Sequence, residues 1–368
     1  MKNFKRLFAA AAAVVMTLSF AGCHKKNETA ISVGDLEFTS AYYMCAFLEA
    51  DSEANAKVYE TLTDEEKQNS DLDLRTKKID GKSYNEWVKE TAIEKVKTVA
   101  AYKILCEENK VELEKEMADN MNSYASYYYS YGYTPSGHTV NFADNGVSQD
   151  TYTKYLTDTS YNSLYFDHLY AKDGEKEIAA KDVKSKIYGN FVIANVLNAK
   201  FEDNATDDQK EALEKKLKAY VKDLEGGKKT FEEVYNEYNG VEEDEHDHEQ
   251  EDKDEETSAP KDKLATVIGS EDTSYSAEYY DTVKKMKKGA VKLIELEDGT
   301  GYALVVKQDI KADGYYLESL DSEARHMIAD EEYEKLIKDY VKTLKADVSK
   351  YAIGQFKVKN IVPVSNQQ

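Results

Sequence analysis

Histidine and cysteine are the residues of this sequence with the widest chemical use, and there are only six histidines and three cysteines among 368 residues. His246 and His248 stand two residues apart inside an acidic run. A zinc site needs three or four ligands held in fixed geometry, which two histidines on a polar loop do not supply. We therefore predict no metal site, with weak capture of a divalent cation by this pair as the alternative.

Other catalytic patterns are also missing from the sequence. His168 and His326 have no neighbouring serine, cysteine or aspartate in a recognisable nucleophile motif, and no glycine-rich phosphate loop occurs. We predict no catalytic residue and no cofactor. Cys45 and Cys106 lie in apolar helical patterns, so we interpret them as buried free thiols; a disulfide between them is the alternative.

Cys23 follows a three-part segment that is typical of an export signal. Residues 1–22 begin with a cluster of positive charges, continue with an apolar, alanine-rich run over 7–18 and end on Ala-Gly. The apolar run is too short to be a permanent membrane span. The mature protein is therefore expected to work outside the cytoplasm.

The Ala-Gly-Cys ending resembles the lipobox of bacterial lipoproteins, in which the cysteine is lipidated and becomes the new N-terminus. Phe20 departs from the leucine usually found three residues before that cysteine. The resemblance implies that Cys23 is lipidated and holds the protein on the outer face of the bacterial cell membrane. More than one acyl chain is needed for stable anchoring. Ordinary secretory cleavage after Ala21 is the alternative.

The charge of the chain limits its partners. The formal net charge is −22. Loss of the signal would remove three positive charges and leave the chain still more negative. A surface this acidic repels nucleic acid and anionic lipid. We therefore predict that the protein has no nucleic-acid partner and that only its lipid anchor attaches it to the membrane. Eleven of the fifteen residues of 242–256 are acidic, which predicts a solvated loop.

The spacing of apolar residues predicts an α+β protein that is mostly helical. Helical spacing occurs over 84–109, 112–129, 148–171, 206–225 and 322–349. Strands are predicted at 31–33, 191–201, 264–268, 291–296, 302–307 and 356–362. Because very short strands are not stable alone, we expect residues 31–33 to pair with 356–362 and to bring the two chain ends together.

Three stretches, in this order, resemble the PrsA-type foldase lipoproteins and the SurA-type periplasmic chaperones. Residues 33–42 (VGDLEFTSAY) are similar to the opening of their chaperone domain. Residues 217–238 are similar to the parvulin pattern L-x-x-G-x-x-F-x-x-L-A, and residues 286–307 to L-x-x-G-x-I…G-Y-H-I-I-K. The resemblance implies a discontinuous, mostly helical chaperone-like domain with an inserted parvulin-like (peptidyl-prolyl isomerase) module, and unfolded or partly folded exported proteins as partners.

The resemblance also implies a domain organisation. The signal peptide occupies residues 1–22, the tether 23–30 and the helical domain 31–185. The parvulin-like module occupies 186–312 and contains the acidic loop 242–256. The C-terminal helix and strand, 313–368, are expected to pack on the helical domain.

This sequence departs from active parvulins at the residues that matter most. Their first strand carries a histidine, whereas residues 191–197 here contain none, and Ala303 stands where a second histidine is expected. The usual glycine-rich loop is also missing. We interpret Tyr280, Met286, Tyr302 and Ala303 as a degenerate isomerase pocket and predict that the activity is lost. An active isomerase with a divergent pocket is the alternative.

Tyrosine is unusually frequent, with 29 copies. Six fall within ten residues: Tyr124, Tyr127, Tyr128, Tyr129, Tyr131 and Tyr133. Tyrosine offers rigid, amphipathic contact area at low entropic cost, which suits adaptable binding. We predict that the first five bind client peptides; helix packing is the alternative. The predicted function is a folding factor that shields non-native exported proteins, with a non-catalytic cell-envelope scaffold or binding lipoprotein as a further alternative. The sequence does not determine the oligomeric state.

Overall fold

The computed structural model describes residues 28–69, 72–134, 139–202, 204–241, 260 and 262–362. Cys23 with the predicted export signal, and the acidic run 242–256 with His246 and His248, lie outside the described residues. Within the described part, no helix has the length and apolarity needed to cross a membrane. The same residues contain no group of three or more His, Cys, Asp and Glu side chains placed to hold a metal ion.

The described strands and helices make an α+β protein, as predicted. The strands are, in chain order, β1 Thr29–Val33, β2 Leu36–Thr39, β3 Lys78–Ile79, β4 Lys82–Ser83, β5 Phe191–Lys200, β6 Ala265–Gly269, β7 Val291–Glu295, β8 Gly301–Lys307 and β9 Ala346–Val348. The helices are α1 Ser40–Glu60, α2 Asp64–Lys67, α3 Tyr84–Asn109, α4 Lys115–Tyr131, α5 Gln149–Tyr170, α6 Ala180–Asn190, α7 Asp207–Glu225, α8 Phe231–Asn239, α9 Ala277–Lys285, α10 Tyr315–Ser319, α11 Asp321–Thr343 and α12 Lys350–Gly354.

The chain divides into two compact units, Met1–Leu169 with Glu332–Gln368, and Tyr170–Glu331. The second unit is longer at both ends than the expected 186–312. The difference arises because α6, α10 and the start of α11 share an apolar cluster with β5, formed by Val183, Ile187, Phe191, Ile193, Tyr316, Leu320 and Ala324. These segments therefore belong to the core of the sheet.

The first unit is built around α1 and α3, which contact each other and the small sheet β2-β1-β9. Thr39 begins α1 by accepting a hydrogen bond from the Tyr42 N–H at 3.2 Å, and Ser83 caps α3 in the same way through Glu86. Such caps satisfy backbone donors that the first helical turn leaves free. Tyr42, Tyr43 and Phe47 of α1 are then buried in the core.

The predicted closing strand at 356–362 is wrong. β1 pairs instead with β9, which lies inside the segment predicted as helix. Helix α11 ends at Thr343, and after it the pattern alternates, with Ala346 and Val348 partly buried and Asp347 exposed. This period of two fits a strand rather than a helix.

In the segment that was predicted as a strand, backbone groups form hydrogen bonds with side-chain amides from other parts of the chain. The Val358 N–H donates to Asn85 Oδ1 at 3.0 Å. Asn145 accepts from the Val362 N–H at 2.9 Å and donates to the Val362 carbonyl at 2.8 Å. These amides satisfy backbone groups that a neighbouring strand would otherwise satisfy.

The second unit contains a four-stranded antiparallel sheet in the order β6-β5-β8-β7. Because successive strand residues point to opposite faces, β5 and β8 together supply two further apolar clusters, one on each face. One contains Val192, Ala194, Ala303 and Val305, which pack with α9. The other contains Leu197, Ala199 and Leu304 with side chains of α7 and α8.

Cys45 and Cys106 are both buried and both free, so the interpretation as buried thiols is confirmed and the disulfide alternative is not. Burial raises the pKa of Cys106 to about 11 and that of Cys45 well above its usual value. Both thiols are therefore protonated at neutral pH and poor nucleophiles.

Candidate functional site

The tyrosine-rich segment forms the C-terminal half of α4 and the turn after it. Gly132 ends the helix with φ +73°, a conformation that favours glycine. A Cβ at this position would lie 2.3 Å from the Val140 carbonyl oxygen. This close approach, together with the bridge between Tyr133 and Thr139, holds the following chain against the helix end.

One face of α4 belongs to the core. Ala125 is fully buried, and Tyr129, one turn later, stacks on Phe142 with ring centroids 5.6 Å apart. The Tyr129 hydroxyl donates to the Val147 carbonyl at 3.0 Å. Helical spacing turns the Tyr129 ring towards the core. Its predicted role in peptide binding stays a prediction, and the candidate surface below is built on its exposed neighbours.

The opposite face of α4 is exposed. Tyr124, Tyr127 and Tyr131 have 54%, 54% and 61% of their surface accessible. The rings of Tyr127 and Tyr131 are 4.7 Å apart, and that of Tyr128, which packs partly on the core, lies 5.8 Å from Tyr127. We call Tyr124, Tyr127 and Tyr131 the tyrosine face.

The surroundings of the tyrosine face are uncharged. Residues 120–143 contain no Asp, Glu, Lys or Arg, although 33% of the whole chain is charged. An open groove of about 590 Å³ runs along this part of the helix and is lined by Asn120, Ser123, Tyr124, Tyr127 and Tyr128. The tyrosine face thus offers aromatic surface and neutral hydrogen-bonding groups in a strongly acidic protein.

The expected isomerase pocket is only partly assembled. Tyr280, Met286 and Ala303 meet on the sheet face that α9 covers. Tyr302 does not join them, because it is adjacent to Ala303 in β8 and points to the opposite face, beside α7 and α8. Its assignment to the pocket is wrong.

The sheet face beneath α9 is filled by apolar side chains. Ala303, Val305 and Ile268 have no accessible surface, and Tyr279 and Tyr280 lie over them. The Tyr280 hydroxyl is engaged with the Gly189 carbonyl at 3.2 Å. The buried Tyr279 hydroxyl has no hydrogen-bond partner among the described residues, and burial raises its pKa.

Two polar groups of the second unit were missed by the sequence analysis. Asn195 is buried in the middle of β5, where its amide donates to Asp262 at 2.8 Å and accepts from Gln308 at 2.8 Å. The sequence did contain a signal for Asn195, because it is a polar residue inside an otherwise apolar predicted strand. Burial, reinforced by Lys284, lowers the pKa of Lys307 to about 8, with Asp309 opposing the shift; nothing in the strand pattern indicated this.

No family model matches the sequence, and no curated protein matches it. Solved structures are similar.

The similar structures are foldases and chaperones. The foldase protein PrsA of Lactococcus lactis aligns over 89% of this chain and 97% of its own, with 14% sequence identity and a TM-score of 0.40. PrsA of Streptococcus pneumoniae aligns over 73% and 85%, with 11% identity and a TM-score of 0.38. A SurA-like chaperone of Campylobacter jejuni aligns over 88% and 100%, with 10% identity and a TM-score of 0.21. These are the two kinds of protein that the sequence motifs resemble.

Proposed function

We propose that this protein is a folding factor that works outside the cytoplasm, is anchored to the membrane by a lipid on Cys23, and binds non-native exported proteins without isomerising them. The observation that carries the proposal is the tyrosine face, a row of three exposed aromatic side chains in an uncharged part of an acidic chain. Exposed aromatic patches of this kind mark binding surfaces.

The chemistry of the tyrosine face suits varied clients. Each ring offers a flat apolar surface, and each hydroxyl can donate or accept a hydrogen bond. No hydrogen-bond partner for the hydroxyls of Tyr124, Tyr127 and Tyr131 occurs among the described residues. Because residues 120–143 and the residues that line the groove carry no charged side chain, this surface does not itself select clients by charge. The net negative charge keeps the protein itself soluble.

The experiment that tests this function is an aggregation assay. The mature protein is added, at several-fold molar excess, to an unrelated protein diluted from denaturant, and light scattering is followed. We expect scattering to fall in proportion to the protein added, because bound clients are withheld from each other. Unchanged scattering at all ratios would favour the non-catalytic scaffold instead.

Loss of the isomerase site is supported by the covered sheet face. Rotation about the peptide bond faces a barrier of about 18–20 kcal/mol, and Ala303 and Val305, the side chains that β8 adds to this cluster, have no polar group to assist it. We expect the purified protein not to accelerate cis-to-trans conversion of an X-Pro tetrapeptide above background, with an active parvulin as the positive control. A catalysed rate that Tyr280→Phe or Met286→Ala abolishes would contradict this part of the proposal and favour the divergent isomerase.

The lipid anchor is supported by the sequence before Cys23. Intact-mass analysis of the protein from bacterial membranes should show an acylated N-terminal Cys23. The Cys23→Ala variant should lose the acyl mass and the normal processing, whereas Cys45→Ala, which changes a buried thiol, should keep both. An unmodified N-terminus at Gly22 in the parent protein would show secretory cleavage and refute the anchor.

A further inference from the structure

Edge strands in the described sheets are protected by charge with one exception. A charged side chain on an edge strand discourages pairing with another chain. Strands β2, β3, β4, β7 and β9 each carry at least one such residue, and β6 carries none. The charged residues are Glu37, Lys78, Lys82, Lys292, Glu295 and Asp347. The sequence of β6 is Ala-Thr-Val-Ile-Gly.

Two hydrogen bonds fix which backbone groups of β5 face β6. The Gln308 N–H donates to the Ile193 carbonyl at 2.8 Å, so the backbone N–H and C=O of Ile193 point towards β8. The Ser270 N–H donates to the Asn190 carbonyl at 2.8 Å, so the backbone carbonyl of Asn190 points towards the β6 side of the sheet. Because the N–H and C=O of successive residues in an antiparallel ladder alternate between the two neighbours, even-numbered residues of β5 bond to β6.

The same alternation shows which groups of β6 are free. Thr266 and Ile268 are opposite Ala194 and Val192, so their N–H and C=O groups face β5. Val267 lies between them, and its N–H and C=O therefore point to the outer side of the sheet. No described strand pairs with that side. The edge thus presents a donor and an acceptor on one residue.

We propose that the outer edge of β6 takes up an extended segment of a client chain, which adds as a further strand and exchanges two backbone hydrogen bonds with Val267. This inference rests on the proposed function, because it names the form in which a non-native chain is held. It concerns a surface separate from the tyrosine face.

The backbone groups of Val267 determine the conformation of the occupant. A helix uses its own N–H and C=O groups internally, whereas an extended chain presents them to a neighbour at every second residue. Recognition through the backbone is independent of side-chain sequence, and the absence of charge on β6 excludes selection by charge. An extended segment of an unfolded chain, whatever its side chains, fits both conditions.

The test uses Val267→Pro, with Val267→Thr as the matched control. Proline removes the outward N–H, but it leaves the ladder to β5 intact because that N–H does not bond to β5; proline is accepted at such edge positions. Threonine keeps both the N–H and the branched shape. The probe is a fluorescent, end-blocked seven-residue peptide of alternating threonine and valine, and binding to the mature protein is measured by anisotropy. We expect about tenfold weaker binding by Val267→Pro and unchanged binding by Val267→Thr.

Amide hydrogen exchange on the parent protein gives a second readout that does not depend on a variant's folding. The Val267 amide should exchange fast without peptide and slowly with it, whereas the amides of Thr266 and Ile268 should be slow in both conditions. Equal peptide binding by the two variants, or a Val267 amide that saturating peptide does not protect, would overturn the inference. Protection that rises with protein concentration alone would show a second copy at this edge and would also overturn it. Each of these results leaves suppression of aggregation by the parent protein, and so the proposed function, standing.

Discussion

Replacement of Arg325 by methionine should lower the free energy of unfolding of the unit Tyr170–Glu331 by about 3 kcal/mol, since it removes several hydrogen bonds made by a buried guanidinium, and a hydrogen bond to a charged group contributes about 1.5–3 kcal/mol. The Arg325 side chain is 8% exposed. Its guanidinium binds both carboxylate oxygens of Asp321, at 2.6 and 3.2 Å, and donates to the carbonyls of Tyr170 and Ile178 at 2.7 and 3.1 Å. Methionine fills similar space but leaves the two carbonyls without this donor.

Arg325→Lys is the informative control. Lysine keeps the positive charge but lacks the planar fork that serves a carboxylate and two carbonyls at once. We expect the free energy of unfolding of Arg325→Lys to lie between those of the parent and the methionine variant. It is measured by urea denaturation with a signal from the second unit. A methionine variant as stable as the parent would show that the arginine network contributes nothing to this unit.

Local patterns in the sequence predicted most of the elements well. The helix expected at 84–109 matches α3, and the side chains of Ser148 and Thr206 accept the hydrogen bonds that begin α5 and α7. These features depend on residues three or four positions apart. The pairing of β1 depends on a partner more than 300 residues away, and here the prediction failed. Residues 356–362 had the right composition for a strand. The backbone N–H groups of Val358 and Val362 instead donate hydrogen bonds to the side chains of Asn85 and Asn145.

The candidate sites show the same division. Composition found the tyrosine cluster, but only tertiary packing shows that Tyr129 faces the core and Tyr127 faces outward. The error over Tyr302 could have been avoided, because adjacent residues of a strand cannot line one pocket. The covering of Ala303 by α9 could not be read from the sequence, since it depends on how a helix far along the chain packs on the sheet.

Removal of the tyrosine face should abolish most of the suppression of aggregation. Replacing Tyr124, Tyr127 and Tyr131 with serine removes three aromatic anchors, each typically contributing about 1 kcal/mol or more to binding when buried by a partner. The expected effect is at least a tenfold increase in the amount of protein needed for half-maximal suppression. Since all three side chains are more than half exposed, the free energy of unfolding should change by less than about 1 kcal/mol.

The chain offers a matched control for this variant and a contrast to it. Tyr59 and Tyr351 are also exposed, at 52% and 70%, but they belong to α1 and α12 and not to the uncharged segment of α4. Replacing both with serine should leave the suppression of aggregation unchanged. Tyr129→Ser should instead lower the stability of the first unit, because this ring stacks on Phe142 in the core.

The most direct test of the central claim is the ratio of half-maximal concentrations in this aggregation assay between the tyrosine-face variant and the parent protein. The proposal predicts a ratio of at least ten, with the Tyr59 and Tyr351 variant near one. A ratio near one for the tyrosine-face variant, with its fold intact by circular dichroism, would contradict the claim that clients bind at Tyr124, Tyr127 and Tyr131.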